Sequence, residues 1–323
     1  MVQGRLHPPE PFSLGLTLLC GQCFRWKDPD PQGGFEGVAG GAFWKLRQEN
    51  KELHWECSLR QVRGKEPGAW LARYLGLEDD LAPAAALFRD HPVLREPWAG
   101  LRGLRLMRQE PWECAVSYMF AQGLSVQVIQ KAIERFCGRF GEPLEGVPEG
   151  RDFPSPGTLA ALTPDQLRAY TNNYRARAQR IILLARVVMA QVLSLEHLSQ
   201  VPCDDARETL SRLEGIGPKI ADCILLFSLG QEDAFPVDRW VLRAMKRYFP
   251  SVRLGGRLEA PTPTQYTRIV RKARKVFGPY SGLASEYLFL YLRLKEDPPL
   301  ARKLAPFLPL GGENTVKNTL ENP

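Results

Sequence analysis

Lys219 and Asp238 are the two side chains best placed, by type and by spacing, to do chemistry in this chain. Lys219 follows the turn Gly215-Ile216-Gly217-Pro218 and opens the apolar run IADCILLF. Asp238 stands just before a second apolar-periodic run, WVLRAM. Glycines allow backbone angles and close approaches that a Cβ forbids, and Pro218 suits the first position of a helix. The free N–H groups of that helix start, with the positive end of its dipole, form a grip for an anion such as a phosphate. A lysine there sits where the dipole opposes its charge, beside apolar Ile216 and Ile220, which suits an amine nucleophile. A lysine that merely contacts phosphate is the other reading of the same position. Asp238 has the place of an N-cap. One helix and one short loop separate it from Lys219, a path that can bring both side chains to one cleft. There a carboxylate would stabilise a cationic sugar transition state or orient a nucleophile. A plain helix–turn–helix corner explains the glycines alone. Proline and lysine directly after them, in a basic chain, point instead to a nucleic-acid backbone.

The elements that must hold these residues are mainly helices. Before about Pro67 the pattern is one of strands and glycine turns: FEGVAGGAFWKLRQ and KELHWECSL read as paired strands around Gly-Gly and Glu-Asn-Lys turns, and PFSLGLTLLC as an apolar element. After it, helical periodicity runs from WLARYLGL to GLASEYLFLYLRLK with short polar or proline-bearing links. The fold class is therefore α+β, a β-rich module over residues 1–100 on a helical body over 101–297, with a helix-hairpin-helix at about 205–230. The proline-rich segment 298–323 is expected to be poorly ordered. The net charge of +7 is uneven: residues 1–100 carry 12 basic and 13 acidic side chains, residues 101–323 carry 31 and 23. The basic excess thus lies with the lysine turn, where a polyanion would need it. Seven scattered cysteines read as reduced, buried thiols, and the lone Cys20–Cys23 pair cannot close a metal shell. No apolar run spans a bilayer and the start MVQGRLHPPE lacks a signal segment, so the expectation is an intracellular protein without a membrane partner.

These residues resemble the helix-hairpin-helix, Gly/Pro-rich loop and aspartate signature of the base-excision DNA glycosylases. GQCFRW, FEGVAGGAFWKL, LRLMRQEPWECAVSYMF, NYRARAQRI, LEGIGPKIADCI, AFPVDRW and VFGPYSGLASEYLF extend the likeness over most of the chain to the 8-oxoguanine DNA glycosylase branch. The resemblance implies a TATA-binding-protein-like antiparallel β module ahead of the helical body. It implies a monomeric enzyme that acts on double-stranded DNA holding a damaged base, in the cytoplasm or nucleoid of a bacterium or the nucleus of a eukaryote. Lys219 would attack the deoxyribose C1′, release the base and form a Schiff base, with β-elimination cutting the strand. Asp238 would stabilise the developing charge. Gly21 would offer its carbonyl to the N7 hydrogen of 8-oxoguanine. Cys223 and Phe289 would sandwich the extruded base, with Pro236 beside them. Gly215 and Gly217 would grip a phosphate, and Tyr174 and Arg175 would wedge around the opposite base. Carbonyls of Ser211, Leu213 and Ile216 would hold a structural K⁺ or Na⁺. No other cofactor is implied, and since no cysteine follows Cys223 an iron–sulfur cluster is not expected.

Four positions depart from the family pattern. Gly123 replaces the asparagine that fills the vacated stack, a task that falls to Gln122. Val128 stands for the arginine that reads the opposite cytosine, Trp240 for a histidine at the phosphate, and Ser285 for the glutamine at the Watson–Crick edge. The alternatives are a helix-hairpin-helix glycosylase for another lesion, such as alkylated purines, and a non-catalytic DNA-binding module. Lys219 argues against the first, since monofunctional members lack it, and retention of Lys219 with Asp238 against the second.

Overall fold

A computed structural model describes residues 1–250 and 261–309. Four antiparallel strands, β1 (Val2–Leu6), β2 (Phe35–Ala39), β3 (Ala42–Glu49) and β4 (Glu52–Cys57), form one sheet in the order β1-β4-β3-β2. The turns set the two hairpins. Gly40 and Gly41 both take positive φ, 63° and 79°, between β2 and β3, which a two-residue turn matched to strand twist demands. Asn50, at φ 55°, does the same between β3 and β4. Alternate residues then share a face. Phe35, Trp44, Leu46, Leu53 and Cys57 are buried, and Trp44 stacks on Trp70 with ring centroids 5.6 Å apart. Strand β1 was not expected. Its sequence VQGRL has little strand signal, and Gly4 opposite Trp55 supplies the missing reason, since a Cβ there would come within 2.4 Å of the Trp55 ring. The apolar element PFSLGLTLLC folds as a wholly buried helix, Leu14–Leu19, capped by Ser13.

Among the described residues from Pro67 onward the regular elements are helices, apart from a two-stranded ribbon over Pro143–Leu144 and Val147–Arg151. The division expected at residue 100 falls at the end of the helix Arg95–Gly100, whose Trp98 stacks on Tyr287 at 5.1 Å across that boundary. Tyr287 lies on the long helix Ser281–Glu296, buried through Leu288 at its start, which runs behind the functional site. All seven cysteines are free and buried. No helix among the described residues is long and apolar enough to cross a membrane.

The expectation of a poorly ordered segment from residue 298 is corrected for its first part. Pro298–Leu304 is a helix, started by its own proline and capped by Asp297, which accepts the Leu300 N–H at 3.1 Å. Phe307 then lies 5.6 Å from Phe35 and against Gly15, where a Cβ would come within 2.2 Å of its ring. The prolines mark helix starts here, and the apolar residues between them close onto the N-terminal module. Residues 310–323 lie outside the described residues.

Candidate active site

The hairpin is built as its residues require. The helix Cys203–Ser211 leads to a turn in which Gly215 takes φ 93° and passes so close to Arg180 that a Cβ would lie 2.7 Å from that side chain. The second helix, Pro218–Phe227, starts from Gly217, which is exposed and offers no side-chain cap, so its first N–H groups remain open to an anion. Lys219 is its second residue. Asp238 caps the next helix, Arg239–Tyr248, and one oxygen, Oδ1, accepts the N–H of Trp240 (2.9 Å) and of Val241 (2.8 Å). Oδ2 is left without a protein partner among the described residues. Burial pushes the Asp238 carboxyl up, opposed by those two N–H groups and by the Lys219 ammonium. The Val241 and Trp240 N–H groups and the positive charges of Lys219 and Arg239 together favour the carboxylate there.

Lys219 and Asp238 line one open cavity of about 820 Å³. Gly21, Cys223, Pro236 and Phe289 line it too, so the expected base-binding residues and the expected chemistry converge. Cys223 is one turn on from Lys219. Burial pushes its thiol up to about 12, against the pull of Lys219, so it presents a neutral, polarisable wall to a flat ligand. Phe289, half-buried, is another wall. Gly21 has φ 112°, and a Cβ added there would stand 3.4 Å from Arg293 Nη1 and 3.8 Å from Phe289, in the cavity itself.

Other expected residues are placed less simply. Gln122 and Gly217 line the cavity, and Gln122 Nε2 donates to the Gly215 carbonyl at 2.8 Å, so the wedge candidate is docked on the hairpin. Tyr174 is exposed, 63% of its surface open, and Arg175 pairs with Asp165 at 3.4 Å, both outside the cavity. Arg177 joins this region to the site: it donates to the Gln122 carbonyl at 2.7 Å and lies 5.2 Å from the Tyr174 ring centroid. Trp240 lines the cavity as a buried ring flanked by the guanidinium groups of Arg239 and Arg243, each 5.0 Å from it, so the positive charge sits on its neighbours. Ser285 lines the cavity but donates its hydroxyl to the Gly282 carbonyl at 2.7 Å, within its own helix. Gly123 takes φ 74° with open space around it, and Val128 is exposed. Around the turn, the Leu213 carbonyl accepts the Ile216 N–H at 3.1 Å. The carbonyls of Ser211 and Ile216 accept no backbone hydrogen bond among the described residues, so hard oxygen ligands are at hand for a monovalent cation.

Several contributors went unread in the sequence. Gln22 is a buried hub. Its amide donates to the carbonyls of Thr17 (3.0 Å) and Arg105 (2.8 Å) and accepts the Met107 N–H (2.9 Å), and its own carbonyl receives Gln109 (2.6 Å) and Tyr118 (3.1 Å). That fixes Gly21 against the helical body. The Tyr118 ring faces the Lys219 amine, 5.2 Å from its centroid. Tyr266 donates to buried Asp222 (2.5 Å) and lies 3.2 Å from the carbonyls of Pro218 and Phe235 and 3.4 Å from the Val237 N–H. It thereby holds the start of the lysine helix against the strap leading to Asp238. Only the ADC triplet after Lys219 hinted at that anchor.

Residues 6–115 match the model for the N-terminal domain of 8-oxoguanine DNA glycosylase, and residues 116–262 that for the HhH-GPD superfamily of base excision DNA repair proteins. An N-glycosylase/DNA lyase of Arabidopsis thaliana is 29% identical over 287 residues, 86% of this chain and 77% of that protein. A probable N-glycosylase/DNA lyase of Methanothermobacter thermautotrophicus is 30% identical over 211 residues, 59% of this chain and 64% of that one. The crystal structure of Clostridium acetobutylicum 8-oxoguanine glycosylase/lyase, in complex with DNA holding cytosine opposite 8-oxoguanine, superposes with a TM-score of 0.78 at 25% identity, over 92% of this chain and 99% of that one.

Proposed function

The chain belongs to the 8-oxoguanine DNA glycosylase branch of the helix-hairpin-helix base-excision repair family, and from that premise we propose how its residues excise 8-oxoguanine from duplex DNA and cut the strand behind it. The observation that carries the assignment of roles is the convergence of Lys219 and Asp238 on a single cavity wide enough for a nucleotide.

The hairpin N–H groups at Gly217 and the following turn grip a DNA phosphate. The carbonyls of Ser211, Leu213 and Ile216 would hold a monovalent cation, which would add positive charge beside that grip. Gln122, with Tyr174 and Arg175 on the other side of Arg177, occupies and props the gap the extruded nucleotide leaves. The base enters between Cys223 and Phe289, next to Pro236, with its N7–H directed to the Gly21 carbonyl, a hydrogen that guanine lacks. Lys219 gives up a proton and its amine bonds C1′ as the C1′–N9 bond breaks; the base leaves with the bonding pair and takes up that proton. Asp238 Oδ2, unbonded to protein, faces the positive charge that develops on C1′ and O4′. The attached nitrogen passes one proton to O4′, and its lone pair then breaks the C1′–O4′ bond, leaving O4′ a hydroxyl and C1′ an iminium. Loss of a C2′ proton eliminates the 3′ phosphate, and water later frees the lysine. The enzyme works as a monomer within the cell. A panel of duplexes carrying 8-oxoguanine, alkylated purines or an abasic site tests this reading. Base release and a 3′ nick on 8-oxoguanine are expected, and turnover of alkylated purines with 8-oxoguanine left intact contradicts it.

A further inference from the structure

The cavity that Lys219 and Asp238 line also holds the carboxyl group of Glu286, which the chemistry above leaves unused. Glu286 is 4% exposed and lines the cavity, with the Cys20 thiol beside its carboxyl, and its Oε1 is sealed from solvent with no hydrogen-bond partner among the described residues. A buried polar atom left unmatched costs about 1–3 kcal/mol, more when charged, so such an atom in a binding cavity is best explained by a ligand that completes it. Arg293 Nη1, one of the atoms nearest the Cβ position of Gly21, is unmatched as well. No ion pair joins Arg293 to Glu286 among the described residues; Arg293 reaches Asp297 instead, at 3.5 Å. The cavity lining thus offers an unmet acceptor on Glu286 and an unmet donor on Arg293, the latter near Gly21 and Phe289. Ser285, the neighbouring polar side chain, has already given its hydroxyl to Gly282.

We propose that Glu286 is the specificity-determining residue for the base: its carboxylate accepts the N1–H and the N2 amino hydrogen of an extruded 8-oxoguanine. The proposal rests on the function given above and names the residue that reads the Watson–Crick edge. A guanine-shaped base presents two adjacent donors there, which a carboxylate meets in a two-point contact, and an O6 acceptor beside them for Arg293. An adenine-shaped base presents a bare N1 lone pair in the same place, which repels a carboxylate. Burial holds the Glu286 carboxyl up near 7, with Asp238 adding to the rise and Cys20, Arg293 and Lys219 opposing it. New donors of the kind this base brings favour its ionised form.

The test compares single-turnover excision of 8-oxoguanine with that of 8-oxohypoxanthine, which lacks only the 2-amino group, and of 8-oxoadenine. Cleavage of an abasic duplex, which has no base to read, normalises each rate for competent enzyme. The wild type should prefer 8-oxoguanine over 8-oxohypoxanthine by about 10- to 100-fold, the loss of one hydrogen bond to a charged group. Glu286→Gln should bring that ratio close to one and narrow the margin over 8-oxoadenine. An unchanged ratio in Glu286→Gln overturns the proposal, as does a variant that slows all three bases equally. If the variant does not fold, a wild-type ratio near one overturns it alone. Wild-type enzyme that cuts the abasic duplex but releases none of the three bases refutes the proposed function itself, and this inference with it.

Discussion

Tyr266→Phe removes one oxygen and should disturb the two halves of the catalytic pair together. The hydroxyl donates to Asp222 at 2.5 Å and lies between the Pro218 carbonyl, next to Lys219, and the Phe235 carbonyl and Val237 N–H that lead to Asp238. Asp222 is fully buried, and its other oxygen takes the Arg207 Nε at 2.5 Å. Removing the hydroxyl therefore leaves a buried carboxyl short of one donor, a loss of about 1.5–3 kcal/mol for a hydrogen bond to a charged group. For a chain of this length that is a fall in melting temperature of several degrees. The catalytic effect is separate: a shift of about 1 Å between reacting groups can cost 10²-fold. Thermal melting and single-turnover Schiff-base formation on one preparation measure both. A lower melting temperature with excision slowed about 10- to 100-fold, at unchanged duplex affinity, is expected. Equal stability refutes the anchor, and lost stability with an undiminished rate refutes its role in positioning Lys219 and Asp238.

The C-terminal segment gives a test away from the site. Phe307→Ala should lower stability by about 1.5–3 kcal/mol, the value of a buried aromatic side chain discounted for partial exposure, with the excision rate per folded molecule unchanged; a denaturant titration checks it. A pH series reads Glu286. Its folded value, about 7, exceeds the ordinary 4.5, so it is neutral in both states below 4.5. Ionisation favours the unfolded chain as pH climbs from 4.5 to 7, and the penalty is complete above 7. Stability should therefore fall across that window in the wild type and fall less in Glu286→Gln, by thermal melts at fixed ionic strength. Binding to undamaged duplex should weaken steeply with salt, because residues 101–323 carry the whole basic excess, 31 basic against 23 acidic side chains. Six or more phosphate contacts would cost about 10³-fold in affinity between 50 and 200 mM salt, and a shallow slope by fluorescence anisotropy would remove the basic face from the account.

What could be read in the sequence was local. The Gly-Gly turn, the lysine turn with its proline, and the aspartate cap each depend on neighbours a few residues away, so type and spacing suffice to place them. Strand β1 could not be seen that way, because Gly4 makes sense only under the Trp55 ring. The segment after residue 297 misled for a related reason: its prolines look like disorder until Phe307 is found against Gly15. Within the site, Gln22, Tyr118 and Tyr266 owe their roles to partners tens of residues away. In the sequence Glu286 is an ordinary acidic residue on a helix, and only burial without a partner sets it apart. The departures at Gly123 and Ser285 were visible, and so was Gln122 as the substitute for the first; its docking on Gly215 and the unmatched Glu286 carboxyl beside Ser285 appeared only in three dimensions.

Borohydride reduction of the enzyme on an 8-oxoguanine duplex, followed by peptide mapping of the trapped complex, bears most directly on the chemistry. A single adduct is expected, with the sugar remnant on Lys219, and none in Lys219→Gln. An adduct on any other amine, or base release and strand cutting that survive in Lys219→Gln, would contradict it.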